Sequence, residues 1–160
     1  MTGLTANDLN ISIKRIAVNE VQFVVNLFDS YRVFYKKQSD LGLAERFLKD
    51  RLANNESVIF VAFIDETPVA FTQLYPKYSS ANAIKNWILN DLFVNEQYRK
   101  QGIGKQLIDT AIDFAKNNDA KYVQLETAID NYNAQHLYEA IGFLKQGPDT
   151  EFLVYRINVD

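Results

Sequence analysis

The chain has 160 residues, a net charge of −3 and an isoelectric point of about 5.2; that length suits one domain, spanning 1–160, large enough to bury roughly two thirds of its unfolded surface. The acidic balance argues against nucleic acid as the main partner, which a basic excess usually marks, and the absence of cysteine excludes disulfides, thiolate metal sites and a cysteine nucleophile. No run approaches the ~18 apolar residues of a membrane span, and MTGLTANDLN lacks the basic and apolar regions of a signal peptide, so a cytoplasmic location is expected.

Residues 9 to 17 alternate, with Leu9, Ile11 and Ile13 set against Asn10, Ser12 and Lys14, as a half-buried strand does. Asn19 then offers a helix cap, and Gln22 three residues on completes a capping-box pattern. Val21, Val24, Val25 and Phe28 share one face of a helix expected to run to about Lys36. Ser39 and Asp40 precede a second helix, whose stripe is Leu41, Ala44, Phe47 and Leu48 and whose end falls near Asn54 and Asn55. Glu45 and Lys49 form a favourable i,i+4 pair on it. SVIFVAFID reads as a strand, residues 65 to 68 as a turn and VAFTQLYPKYSS as the return strand. Pro76 predicts the end or the edge of that strand, and residues 77 to 85 read as loop.

Residues 87 to 105, WILNDLFVNEQYRKQGIGK, read as strand, turn and helix start. Helix N-termini carry unsatisfied amides and partial positive charge, and so hold anions. Glycine lets the backbone approach such an anion closely. A P-loop would need glycine at Arg99 and Ser or Thr at Gln106, and a dinucleotide fingerprint would need glycine at Leu107. Both fail, which leaves R-x-x-G-x-G at Arg99, Gly102 and Gly104. The helix behind it carries Leu107, Ile108, Ala111, Ile112 and Ala115 at helical spacing and ends at Asn117 and Asn118. Residues 121 to 129 read as a strand, parallel to the one before it. Residues 131 to 141 read as a short helix closed by Gly142, and 143 to 146 and 151 to 158 as two last strands. The expected class is α/β, with a mixed, mostly antiparallel central sheet of about seven strands and four helices.

The R-x-x-G-x-G loop resembles the acetyl-CoA pyrophosphate loop of the GCN5-related N-acetyltransferase (GNAT) family. DNYNAQHLYEAIGF resembles that family's other motif, N-x-x-A-x-x-L-Y-x-x-x-G-F, with Asn131, Ala134, Leu137, Tyr138, Gly142 and Phe143 in place. The likeness covers residues 87 to 143 well and residues 9 to 75 only in element order. It implies the GNAT acyl-CoA N-acyltransferase fold and an acetyl-CoA-dependent N-acetyltransferase, with no metal. The acceptor would be a primary amine of a small molecule such as an amino acid or polyamine, or of a peptide, attacking directly in a ternary complex. A homodimer is also a family-level expectation.

On the same resemblance, Leu92, Phe93 and Val94 on the fourth strand would face the pantetheine arm where the strand parts from its neighbour at a bulge. The amides of Gln101, Gly102, Ile103, Gly104 and Lys105 would hold the pyrophosphate, with charge from Arg99, Lys100 and Lys105. Asn131 and Ala134 would stand beside the cofactor arm. Tyr138 matches the general acid, and a phenol near pKa ~10 is able to protonate a departing thiolate. The acceptor site would lie at the first two helices and their connection, where Tyr31, Phe34 and Tyr35 offer aromatic faces to an amine. Asn90 and Glu126 are further substrate-side candidates.

Some family members carry a glutamate base on the fourth strand. Asn86 and Asn90 stand where it would be sought, and neither acts as a base. Asp91 is next in line as a base, but alternation turns it to the opposite face from Asn90 and Leu92. Glu126 on the fifth strand is another candidate, a water relay is the alternative to a dedicated base, and both carboxylates read as strand-edge polarity. His136, the single histidine, is expected in solvent and gives no metal site. The alternative function is a non-catalytic acyl-CoA-binding regulatory or interaction module.

Overall fold

In the computed structural model the described residues are 10–159. They fall into two compact units that divide between Glu126 and Thr127. The first unit is built on a five-stranded sheet in the order β1-β2-β3-β4-β5. β1 (Ile11–Arg15), β2 (Val58–Ile64), β3 (Thr67–Ser79) and β4 (Ile84–Val94) are successively antiparallel, and β5 (Val123–Gln124) is parallel to β4. α1 (Gln22–Phe34) and α2 (Leu41–Ala53) cover one face, and α3 (Ile103–Asn117) covers the other.

The first face carries Val24, Leu27 and Phe28 from α1 and Ala44 and Leu48 from α2, packed on Ile59, Val61 and Phe71. Burial of each such side chain stabilises the fold by about 1.5–3 kcal/mol. On the opposite face Phe114 of α3 meets Phe60 and Trp87 edge-on, at centroid distances of 5.7 and 5.0 Å.

Local signals held best at the helices. Asp40 caps α2 by accepting the Leu43 N–H at 2.9 Å, and Glu45 pairs with Lys49 at 2.8 Å. Leu41 of the predicted α2 stripe is half exposed, while Ala44 and Leu48 are fully buried. α1 starts differently from its prediction. A short 3-10 turn, Val18–Glu20, precedes it, and Glu20 rather than Gln22 closes the entry by accepting the Ala17 N–H at 3.0 Å and pairing with Lys14. The helix ends at Phe34, two residues early, because Lys36 takes the left-handed conformation with φ 62°.

Strand limits depend on partners. Leu9 lies outside the described residues, and β1 starts at Ile11. β3 runs through Pro76 to Ser79, and β4 begins at Ile84, so only 80–83 remain of the predicted 77–85 loop. β2 pairs no further than Leu74, so Pro76 lies on a stretch with a neighbour on one side only, where a missing N–H is tolerated. β5 is two residues long instead of nine, pairing only with Trp87 and Ile88. The β4 bulge at Asn90 follows two residues later, and bulges disrupt ladders.

The second unit holds α4 (Tyr132–Ile141), capped by Asn131, which accepts the Ala134 N–H at 3.3 Å, and ended by Gly142 at φ 120°. No strand forms in its described residues 143–159. Asp149 instead accepts the N–H groups of Glu151 and Phe152, each at 2.9 Å. Such side-chain capture competes with ladder pairing. Phe152 and Tyr155 are exposed and form no core there. The sheet therefore has five strands rather than about seven.

The connection between α1 and α2 is pinned by the buried Asp29. Its carboxylate accepts the Ser39 hydroxyl at 2.6 Å and the Asp40 N–H at 2.8 Å. The Ser39 bond, helped by the Asp40 N–H and the Arg32 charge, holds the carboxyl below the ordinary aspartate range. A lowered native pKa adds stability above the unfolded value of ~3.9, and that stability is lost as pH falls through the native one. Asp29→Ala is expected to lower unfolding free energy by about 1–3 kcal/mol at pH 7. Urea titration should show this gap closing below about pH 4.

Candidate active site

The phosphate-loop candidate sits between β4 and α3. Its residues Lys100 and Gly102 both have positive φ, 63° and 79°. Gly102 is the N-cap of α3, and no side chain caps the helix. The first helical bond runs from Gln106 N–H to Gly102 C=O at 3.1 Å. The amides of Ile103, Gly104 and Lys105 are thus left without intrahelical acceptors. Left-handed residues in such a turn make an anion-receiving concavity of N–H groups. The Gln101 side-chain oxygen is buried without a donor. The donors here are the Ile103, Gly104 and Lys105 amides, and they fit a pyrophosphate, whereas the Gln101 oxygen is an acceptor.

The loop cations are less available than the letters imply. Arg99 donates Nε–H to the Val94 carbonyl at 2.9 Å, and its guanidinium lies over the rings of Phe93 and Phe34, 5.6 and 6.0 Å from their centroids. Lys105 pairs with Asp109 at 2.7 Å. Beyond Ile88, β4 has no strand partner on its β5 side among the described residues. Leu92, Phe93 and Val94, all partly exposed, lie on that stretch.

β4 carries a bulge. Gln73 pairs with Asp91 while Leu74 pairs with Leu89, so Asn90 has no partner across the ladder. The extra residue resets the alternation and turns Asp91 to the α1 face. Asp91 is 3% exposed, which corrects its reading as strand-edge polarity. One carboxylate oxygen accepts Gln73 Nε2–H at 2.6 Å and the other accepts Asn90 Nδ2–H at 3.0 Å. Burial first, then the Asp91 charge, pushes the phenols of Tyr31 and Tyr75 well above the ordinary tyrosine range. Gln73 is fully buried, and its side-chain oxygen has no donor.

The predicted aromatic group does assemble. Tyr31 is half-buried and meets Phe28, Phe71 and Tyr35 at 6.2, 6.0 and 4.9 Å between centroids. Phe34 and Tyr35 are more than half exposed. Asn86 is a fully buried structural residue, accepting the N–H groups of Lys121 and Tyr122 at 2.8 and 3.2 Å. Glu126 and His136 are exposed. Gln73 and Tyr75 escaped the sequence reading. Their signal was period-2 alternation with Phe71 inside a buried run, which places a glutamine on the core face.

In the second unit Asn131 uses its side-chain oxygen to cap α4, at the N–H of Ala134. Tyr138 is half-buried and meets Phe143 edge-on at 6.0 Å. Among the described residues no cluster of three or more metal-ligating side chains occurs, and no helix is long and apolar enough to cross a membrane.

A sequence profile of the acetyltransferase (GNAT) family matches residues 22–143. The chain is 42% identical over 149 residues to the uncharacterized N-acetyltransferase YhfO of Bacillus subtilis (strain 168), covering 93% of this chain and 98% of that one. It is 25% identical over 157 residues to a thialysine N-epsilon-acetyltransferase of Caenorhabditis elegans, covering 93% and 92%. The crystal structure of a probable acetyltransferase superposes with a TM-score of 0.82 at 35% identity, covering 93% of this chain and 98% of that one.

A Cβ at Gly102 would meet nothing within 4 Å, so any cost of a side chain there is backbone strain. Gly102→Ala should lower stability by about 1–2 kcal/mol. Gly102→Asn should cost less, because asparagine tolerates the left-handed region. A shift of the urea midpoint at constant slope measures both.

Proposed function

The chain belongs to the acetyltransferase (GNAT) family and is an N-acetyltransferase, and from that premise we propose that it moves an acetyl group from acetyl-CoA to a primary amine by direct attack in a ternary complex. The observation that carries this reading is the uncapped start of α3. The left-handed Gly102 and the amides of Ile103, Gly104 and Lys105, which lack intrahelical acceptors, follow a strand that has no partner on its β5 side beyond Ile88 among the described residues. Acetyl-CoA supplies an activated acetyl thioester. In the proposal the α3 amides bind its pyrophosphate, while Leu92, Phe93 and Val94 offer backbone groups to its arm. A β4 amide would also stabilise the negative charge that grows on the thioester oxygen.

Tyr138 is proposed as general acid, giving its hydroxyl proton to the leaving thiolate. Its support is the motif match from Asn131 to Phe143. Tyr31, Phe34 and Tyr35 are proposed to receive the acceptor, with Asn90 beside them. The thialysine activity of the C. elegans relative supports a small amine of the amino-acid class.

Calorimetry with acetyl-CoA tests the donor, and absence of binding at millimolar concentration would overturn the proposal. Thiol release from acetyl-, propionyl- and succinyl-CoA against lysine, thialysine, spermidine and an alanine-initiated peptide identifies donor and acceptor. Tyr138→Phe should lower kcat by about 10²–10³-fold with little change in acetyl-CoA affinity. Unchanged turnover across pH would remove Tyr138 from the acid role.

A further inference from the structure

We propose that Arg99, the arginine that opens the R-x-x-G-x-G loop, serves the acceptor side of the site. It is a positioning residue that holds Phe34 and Tyr35 in place for the incoming amine, and the coenzyme pyrophosphate is left to the α3 amides. This rests on the acetyltransferase reading above, whereas the contacts that carry it stand without that reading. A cation in such a loop suits a phosphate by charge alone. The Arg99 guanidinium is committed elsewhere. Its Nε–H donates to the carbonyl of Val94, the last residue of β4, at 2.9 Å. The central carbon of the group lies 5.6 Å from the ring centre of Phe93 and 6.0 Å from that of Phe34. One ring belongs to β4 and the other to the last turn of α1.

Phe34 needs such a partner. It and Tyr35 close α1, are 58% and 57% exposed, and stand directly before Lys36, whose φ of 62° ends the helix. Helix ends fray, and a ring left in water gains rotamer freedom by moving. The core holds the cluster from its inner end, where Tyr31 meets Phe28 and Phe71. From Tyr31 the contacts run outward to Tyr35 at 4.9 Å, and from Tyr35 to Phe34 at 5.3 Å. Arg99 closes the outer end of this chain of rings.

Two consequences for the acceptor follow from that closure. Rings ordered before the amine arrives spare its binding the cost of ordering them. Arg99 also claims one face of Phe34, and like charges repel. The amine's positive charge is thereby directed to Tyr31 and Tyr35, which have no cation over their rings among the described residues.

The test uses the full chain with acetyl-CoA and whichever panel amine is transferred fastest. Arg99→Ala should raise the acceptor KM at saturating acetyl-CoA by about 2–5-fold, the worth of an exposed cation–π contact. The acetyl-CoA Kd, measured by calorimetry, should change by less than about 2-fold. Arg99→Lys keeps the charge but loses the flat face and the Nε donor, so it should raise the KM as alanine does. Phe34→Leu should raise it too, and the double variant with Arg99→Ala should be no worse than the poorer single one, because both changes remove one contact. A merely structural role would lower the urea midpoint and leave the acceptor KM in place, and that result overturns the proposal. So does a weakening of acetyl-CoA by ~10-fold or more in Arg99→Ala that Arg99→Lys restores, which would make Arg99 a pyrophosphate ligand. A further readout needs no turnover. Ring currents from Phe34 and Phe93 should displace the Arg99 side-chain proton resonances, and Phe34→Leu should move them toward free-arginine values; resonances that stay in place overturn the proposal. Failure of the wild-type protein to bind acetyl-CoA, or to acetylate any panel amine, counts against the acetyltransferase reading instead.

Discussion

The first unit is governed by the unequal pairing of β4. On one side the strand is bonded to β3 from Ile84 to Val94, and on the other it meets β5 at only two residues. Backbone polar groups require partners, and from Leu89 onward the β5 side of β4 has no strand partner among the described residues. α3 leaves from the end of the same strand, with its first amides unsatisfied. Edge and helix start therefore present polar backbone from adjacent stretches of one chain, without needing any particular side chain.

The bulge at Asn90 adds chemistry to that backbone arrangement. One inserted residue sends Leu89 to the α3 face and Asp91 to the α1 face, although the two stand only two positions apart. A carboxylate enters the helix-covered side of the sheet, where the Gln73 amide donates to it. In this low-dielectric setting hydrogen bonds to the ionised group are stronger, and leaving one unmade is more costly. The same locality also explains the loop cations: Arg99, stacked on Phe34 and Phe93, braces α1 against β4 as well as adding positive potential near the loop.

What the sequence displayed follows the range of each signal. Caps and left-handed stops are written in adjacent residues, so Asp40, Asn55 and Gly142 announced their helix ends directly, whereas Asn131, read as the first helical residue, is the cap. The Gly102 turn was legible for the same reason. Strand limits need a neighbour to define them, and the hairpin from Ser79 to Ile84 extended on pairing that no local letter encodes. β5 stopped at two residues, and in 143–159 the Asp149 side chain accepts the Glu151 and Phe152 N–H groups that alternation alone would assign to a strand. The Asp91 cluster was hidden more deeply. Its members come from α1, β3 and β4, and the bulge inverts the parity on which their facing would be judged.

Pro76 has a consequence that reaches beyond the single molecule. Among the described residues β3 has no strand partner on its β2 side past Leu74, and such a flank would accept a strand from another chain. Proline interrupts that flank with a missing N–H and the adjacent Lys77 adds charge, the two devices by which natural sheets keep exposed edges from templating aggregation. Of the two readings of Pro76, strand end or strand edge, the pairing among the described residues gives the edge.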